Sequence, residues 1–409
     1  MKKLGFTLTL LGTVSLVNAQ NLSKDETEFD IQLNTITTAV PFLIIAPDSR
    51  AGALGDAGAA TSPDVNSFHW NTAKLSFSKE KAEFGASYSP WLRQLVDDIH
   101  LSYLSGYSKI GRSHVVGGSL RYFSLGNITF TDNLGNVMRE FAPNEFEVLG
   151  GYAFKLSERN SVGMNAKFVY SNLTGGVNVG SAGTKPGIAG AVDISYAYSN
   201  EDIRLGNTDA TLSIGTTISN IGNKISYTTD SRRDFLPTNL RFGTALNMRF
   251  DKYNSLTATV DFNKLLVPTP PEMFGDEIIS GMNPDVGVVT GILHSFYDAP
   301  GNVFVNADST DSVEKNSRFG EELREINIGG GLEYWYSNLL AVRMGYFNEH
   351  PSKGARQYLT FGAGIYYSVF GIDVSYLAAF TRTNPLANTV RFSIKFKFGA
   401  GTKDSTPRE

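Results

Sequence analysis

Segments in which apolar and polar residues alternate recur along this chain, and the last segment shows the pattern most clearly. Successive side chains of a strand point to opposite faces. One face of this segment is apolar and aromatic: Val390, Phe392, Ile394, Phe396 and Phe398. The other face is small or charged: Arg391, Ser393, Lys395 and Lys397. Such a strand suits a membrane barrel, in which one face meets lipid and the other meets a polar lumen.

Fourteen segments of this kind can be counted, each close to the roughly 9–11 residues with which a tilted strand spans a membrane. They are 83–90, 98–108, 114–125, 145–157, 160–172, 187–198, 209–220, 238–250, 255–265, 324–336, 339–348, 357–369, 371–381 and 388–398. Single-chain bacterial barrels have an even number of strands. The pattern therefore predicts an all-β fold, a transmembrane antiparallel β-barrel of about 14 strands.

The connections between these segments alternate in length. Every second connection is short, and most of the others are long: 126–144, 173–186, 221–237, 266–323, 349–356 and 382–387. Outer-membrane barrels have short periplasmic turns and longer external loops. A soluble β-sandwich or a secreted β-helix would explain the alternation within segments, but it would not explain this asymmetry.

One turn can be predicted in detail. A two-residue loop at Ser337 and Asn338 would place the apolar face of one strand beside the polar face of the next, because pairing register decides which side chains share a face. A three-residue loop ending at Leu339 restores the faces. It also predicts that Glu333 lies opposite Arg343 in the lumen.

The ends of the chain predict the remaining domains. A charged start, an apolar run and a small residue at Ala19 are typical of a secretory signal peptide over residues 1–19. Residues 20–82 are predicted to form a periplasmic N-terminal tail and a barrel plug, residues 83–398 the barrel, and residues 399–409 a periplasmic C-terminal tail. The protein is therefore expected in the outer membrane as a multi-pass barrel.

Composition narrows the classes of function. The net charge of −4 gives no electrostatic basis for binding nucleic acid. The chain has no cysteine, and its 5 histidines are scattered without the spacing of metal ligands. The sequence therefore predicts no enzyme, no cofactor and no metal site, although a lipid-modifying Ser/His site assembled in space stays an open alternative.

Small residues are concentrated in the run from Ala46 to Thr61, which is followed by His69, Trp70 and Asn71. The glycine spacing is like that of a phosphate loop, but the run lacks the lysine and the flanking elements of that motif. Small residues at this density favour close packing in a confined space, so we predict a plug inside the barrel. The candidate plug residues are Arg50, Gly52, Gly55, Asp56, Gly58, Trp70 and Asn71.

The loop 266–323 is far longer than structureless loops in compact domains usually are, which favours a functional role. Asn283 as a cap and Pro284 at the first position predict a helix that Pro300 ends. The candidate partner-binding residues lie on it and just after it: Val286, Val289, Ile292, Leu293, Phe296 and Tyr297. The alternative is that this helix folds over its own barrel mouth. The acidic residues that follow could bind a cation, but a solvated charged loop is favoured.

The run from Ala46 to Asn71 resembles the N-terminal signature of FadL-type outer-membrane transporters. The segments 218–222, 236–243 and 295–301 are closer to the PorV branch of that family, which belongs to the type IX secretion system. The chain has Asn71-Thr72-Ala73 where many FadL-like barrels have Asn-Pro-Ala. The resemblance extends over essentially the whole mature chain and implies a FadL-like barrel with a small N-terminal plug.

For function, the resemblance implies a non-enzymatic component of type IX protein secretion. The implied partners are the giant translocon barrel, cargo C-terminal signal domains, the sortase-like surface attachment complex, and outer-membrane lipid and lipopolysaccharide. The alternative is a FadL-type transporter of hydrophobic small molecules, which needs an apolar conduit. The predicted inward positions of Arg241, Arg249, Lys395 and Lys397 indicate a charged lumen instead.

Overall fold

The computed structural model describes residues 33–91, 98–131, 134, 136–176, 183–228, 233–305, 311–314, 316–380 and 388–399. The predicted signal peptide, residues 20–32 of the predicted tail and residues 400–409 lie outside the described residues. No helix among the described residues is both long enough and apolar enough to cross a membrane.

Fourteen antiparallel strands form a closed barrel, in which the first strand pairs with the last. The bounds are β1 Ala82–Pro90, β2 Ile99–Ile110, β3 His114–Leu125, β4 Asn144–Lys155, β5 Asn160–Asn172, β6 Gly187–Leu205, β7 Thr208–Gly222, β8 Asn239–Arg249, β9 Asn254–Leu265, β10 Asn327–Tyr336, β11 Leu340–Asn348, β12 Gln357–Tyr367, β13 Phe370–Ala379 and β14 Val390–Phe398. The predicted fold and number of strands are confirmed.

Side chains alternate between the lumen and the outside as the sequence predicts. In β14, Arg391, Ser393 and Lys395 are buried, whereas Phe392 and Ile394 are exposed on the outer face. Closure pairs every barrel strand on both sides, so the wall has no free edge within the membrane. The protein is an outer-membrane β-barrel.

The turn between β10 and β11 has the predicted length and register. Tyr336 pairs with Leu340, and Glu333 lies directly opposite Arg343. Ser337 and Asn338 both have positive φ angles, of 55° and 53°. The three-residue connection therefore keeps both polar partners on the lumen side, as predicted.

Short helices lie inside the barrel and in its long loops. Those before the barrel are the 3-10 helix Pro41–Ile44, α1 Ser49–Gly52, α2 Ser67–Trp70 and the 3-10 helix Thr72–Phe77. Those after β9 are α3 Val288–His294, α4 Ser317–Arg324 and the 3-10 helix Pro351–Lys353. Three two-stranded sheets lie in the long loops: Ile128–Thr131 with Val137–Phe141, Glu272–Phe274 with Glu277–Ser280, and Val303–Val305 with Asp311–Val313.

The chain enters the barrel from the end that carries the long loops. Asn34 Nδ2 donates to the carbonyl oxygen of Pro270 at 3.1 Å, and the Ala39 amide donates to the carbonyl oxygen of Phe235 at 2.9 Å. β1 begins at Ala82, at the short-turn end. Residues 33–38 therefore lie at the opposite end from the periplasmic position predicted for the tail, because a polar segment suits either aqueous side.

Candidate functional site

Three glycines of the plug pack where no side chain fits. A Cβ atom at Gly52 would lie 2.5 Å from Arg391 Nη1, and one at Gly58 would lie 2.4 Å from the ring of Trp70. At Gly55, where φ is +67°, it would lie 2.2 Å from the backbone oxygen of Tyr346. At Gly52 and Gly55 the plug backbone therefore lies directly against the barrel wall, and at Gly58 it lies against α2 of the plug itself.

Inward-facing glycines of the wall leave the space into which the plug backbone fits. A Cβ atom at Gly215 would lie 2.1 Å from the carbonyl oxygen of Ala59. One at Gly329 would lie 2.2 Å from the Gly55 oxygen, and one at Gly345 would lie 2.2 Å from the Gly55 nitrogen. These contacts bring the plug against strands on different sides of the lumen.

Polar side chains fix the fold of the plug. Asp48 accepts hydrogen bonds from the Ala51 amide at 3.0 Å and from Trp70 Nε1 at 2.7 Å, so it caps α1 and holds α2 beside it. The guanidinium of Arg241 lies 4.5 Å from the centroid of the Trp70 ring. Trp70 is therefore held between a carboxylate of the plug and a cation of the wall.

Two further predicted plug residues link the plug to the wall. Asn71 Nδ2 donates to the carbonyl oxygens of Ala59 and Tyr196, each at 3.0 Å. Asp56 accepts from the Tyr358 hydroxyl at 2.6 Å and lies 3.6 Å from Arg391. The structure therefore places all seven predicted plug residues inside the barrel.

Arg50 joins the plug to a buried ion-pair network. Its Nε and Nη2 atoms donate to the two carboxylate oxygens of Glu333, both at 2.8 Å, and its Nη1 lies 3.2 Å from Asp64 Oδ2. Arg343 Nε also binds Glu333, at 2.7 Å. Bidentate arginine–carboxylate pairs are strong and directional, so this pair fixes α1 to the wall.

The network is balanced in charge. Arg343 lies 2.7 Å from Asp373, and Lys395 lies 2.9 Å from Asp64 and 3.5 Å from Asp373. Burial alone would raise the pKa of Asp64, but Lys395 and Arg50 outweigh it and hold that pKa well below its usual range. Three cations therefore face three carboxylates in this part of the lumen.

An apolar chamber lies in the half of the lumen toward the long loops, and the plug itself fills it. Phe42 and Leu43 are only 0% and 1% exposed there. Arg121 Nη1 donates to their carbonyl oxygens at 3.0 and 2.8 Å. The chamber is formed by Trp91, Ile99, Leu101, Phe123, Val169, Ala189, Ala191, Ile225 and Leu236. Sequence reasoning missed this element, although the apolar run from Ala39 to Ala46 signals it.

A polar cavity of about 560 Å³ opens below the plug, at the short-turn end. Its lining includes Arg249 and Lys397, which were predicted to face the lumen, and the plug residues Arg50 and Asp64. The ion-pair network therefore closes the inner end of this cavity.

The helix of the longest loop is shorter than predicted. α3 begins at Val288 with Gly287 as its N-cap, and Asn283 Oδ1 instead accepts from the Asp285 amide at 2.9 Å. The predicted cap therefore closes a local turn, because Asx side chains bond their own backbone two residues on.

The predicted partner-binding residues lie together but differ in exposure. Val289 and Leu293 are 71% and 58% exposed, and Phe296 and Tyr297 are also exposed. Val286 and Ile292 are half-buried. The inner side of α3 rests on Phe235 through Gly291, where a Cβ atom would lie 2.8 Å from the ring. The face of α3 that carries Gly291 therefore covers Phe235, and the apolar side chains on its other face stay exposed.

The segment after α3 is held by buried polar groups. Asp298 Oδ2 accepts from the Thr269 amide at 3.1 Å. Carboxylates of α4 bind the next residues, since Glu322 accepts from the Ala299 amide at 3.0 Å and Glu321 from the Gly301 amide at 2.7 Å. These bonds hold the turn that presents Phe296 and Tyr297.

The expectation of a solvated acidic loop is wrong for α4. Lys264 lies 2.9 Å from Glu322 and 2.6 Å from Glu325, and Lys353 lies 2.6 Å from Glu321. These carboxylates are buried and paired with lysines distant in sequence. The described part of the chain holds no group of three or more acidic or histidine side chains arranged for a metal ion.

The turn after α3 is expected to loosen as pH rises. Burial, opposed by hydrogen bonds from Thr269 and reinforced by Glu322 and Glu325, raises the pKa of Asp298 to about 6 from 3.8. Between these values the folded loop holds a proton that the unfolded loop releases, so local stability is lost as pH rises through about 6.

Hydrogen exchange of the amides of residues 295–299 and 301 measures this loss. After correction for intrinsic rates, we expect several-fold stronger protection at pH 5 than at pH 7. Asp298→Asn should show equal protection at both values, since it cannot titrate. Equal protection in the unmodified protein would contradict the prediction.

The chain is similar to one protein family and to several solved structures. The model of the family described as "Type IX secretion system protein PorV" matches residues 28–272 of the chain. The Pseudomonas putida toluene transporter TodX is 12% identical, with 90% of this chain and 99% of that chain covered and a TM-score of 0.48. A Pseudomonas aeruginosa FadL homologue is 10% identical, with 90% and 100% covered and a TM-score of 0.41. No curated protein matches the chain.

Proposed function

Because the chain belongs to the family of type IX secretion system protein PorV, we propose that it is a non-enzymatic docking barrel of that system. In this proposal it associates with the translocon barrel through its longest external loop. It receives cargo by its C-terminal signal domain and passes it to the sortase-like surface attachment complex.

The observation that carries the docking role is the apolar surface of α3 and the turn after it. Val289, Leu293, Phe296 and Tyr297 are exposed within nine residues of one another, on a loop held by buried hydrogen bonds. Apolar and aromatic side chains on a pre-ordered element are typical of partner sites, because little conformational entropy is lost on binding. Helices of this kind dock into apolar grooves of partners.

The closed lumen supports a docking role over the alternative of a transporter. A conduit for hydrophobic small molecules needs an empty apolar chamber, and Phe42 and Leu43 occupy the apolar chamber that the described residues form. Below it, the network of Arg50, Glu333 and Asp64 blocks the path with charge. We therefore favour a barrel whose work is done by its external loops.

A copurification experiment tests the proposal. Val289, Leu293, Phe296 and Tyr297 are replaced together by serine, and the protein is recovered from detergent-solubilised membranes. We expect recovery of the translocon barrel to fall at least about tenfold, since losing 1.4 kcal/mol of binding already gives that factor. The matched control replaces Phe274 and Ile278, which are exposed on a hairpin of the same loop, and should retain the partner. Undiminished recovery by the α3 variant would sink the proposed docking site.

A further inference from the structure

Helix α4 buries charged side chains and exposes apolar ones, the reverse of an ordinary surface helix. Its carboxylates, Glu321 and Glu322, are buried, while Phe319 and Leu323 are 69% and 52% exposed. Phe319 and Leu323 lie four residues apart, so they are neighbours on one helix face. A surface helix normally turns its apolar side inward. The exposed pair therefore forms an apolar face that the described residues leave uncovered.

The position of Lys264 shows where α4 lies. Asn263 faces the lumen, where it accepts from Arg241 Nε at 2.7 Å, and Phe262 is exposed on the outer face. By alternation, Lys264 belongs to the same outer face as Phe262. It is nevertheless only 8% exposed, because Glu322 and Glu325 cover it. α4 therefore lies at the rim that carries the long loops, beside the outer face of β9, and on its inner side Glu321 accepts from Asn34 Nδ2 at 3.0 Å.

At this rim, α4 lies next to the edge of the lipid-facing surface. β10 begins at Asn327, directly after α4, and its next residue, Ile328, is exposed on the outer face and pairs with Phe262. Leu323 thus lies five residues before Ile328 in the sequence. Arg318 and Arg324 flank the apolar pair in sequence, and guanidinium groups suit the phosphates of lipid headgroups, although Arg318 Nη2 also donates to Ser280 Oγ at 3.0 Å.

We propose that α4 is an interfacial helix that places Phe319 and Leu323 among the acyl chains of the outer leaflet. Amphipathic helices lie in the membrane interface with their apolar face buried about 5–10 Å into the headgroup and acyl boundary. Phe319 and Leu323 are not among the residues of the α3 surface. Since Glu321 and Glu322 also hold Gly301 and Ala299, lipid contact by α4 anchors the loop that carries α3.

Spin labels on single cysteines test the proposal cleanly, because the natural chain has no cysteine. Phe319→Cys and Leu323→Cys are labelled in the full-length protein in vesicles of phosphatidylethanolamine and lipopolysaccharide. Ile328→Cys serves as the lipid-facing control and Asp276→Cys as the control exposed to water. Collision rates with oxygen and with a water-soluble nickel chelate are then compared.

We expect labels at 319 and 323 to collide with oxygen several-fold more than with the chelate, as the label at 328 should. Chelate access equal to that at 276 would overturn the proposal. Protection from both reagents that appears only in native membranes would also overturn it, since a protein would then cover α4. Should a cysteine variant fail to fold, quenching of Phe319→Trp by brominated lipid gives the same decision.

Discussion

Replacing Arg50 by alanine is expected to unseat the plug and raise the ion conductance of the barrel. Arg50 makes a bidentate pair with Glu333 and also lies 3.2 Å from Asp64. Its loss leaves two buried carboxylates with fewer cations, and removing one partner of a buried ion pair typically costs about 3–5 kcal/mol. The plug contains only short helices, so this loss should fall mainly on its seating in the lumen.

Conductance of single barrels in planar bilayers measures the seating, and the thermal midpoint of unfolding measures the stability. Arg249→Ala is the matched control, because Arg249 lines the cavity but is exposed. Arg50→Lys should be intermediate, since lysine keeps the charge but cannot make the bidentate pair. If Arg50→Ala conducts and melts like the unmodified protein, the network does not hold the plug.

The barrel could be predicted from sequence because its signals are local. A period of two residues assigns each side chain to a face, and the three-residue connection at Ser337–Leu339 fixes the register of Glu333 and Arg343. Composition likewise predicts the plug glycines, since close packing against backbone requires small residues.

Other features depend on pairings that sequence patterns do not reveal. Glu322 of α4 meets Lys264, at the end of a barrel strand, so a run of acids that looks solvated is buried. Residues 33–38 lie at the long-loop end because Asn34 bonds to Pro270, and a polar tail gives no sign of direction. Likewise, Phe42 and Leu43 fill a chamber whose walls come from many strands.

Replacing Gly55 by alanine is the second change with a large expected effect. Its φ of +67° disfavours any residue with a Cβ atom, and that atom would lie 2.2 Å from the carbonyl oxygen of Tyr346. The left-handed backbone conformation costs roughly 1–2 kcal/mol for alanine. Overlap with a fixed backbone atom of β11 adds about 1–3 kcal/mol, as overpacking does elsewhere.

Gly206→Ala separates these two contributions. Gly206 has a similar φ of +62°, but a Cβ atom there would meet nothing within 4 Å. Gly206→Ala should therefore lower the stability of the fold by the conformational cost alone and leave the conductance unchanged. Gly55→Ala should lower the stability further and open the lumen. Equal effects of the two substitutions on both measurements would mean that the plug does not press against β11. The excess of Gly55→Ala over Gly206→Ala is thus the energetic measure of how tightly the plug fits its barrel.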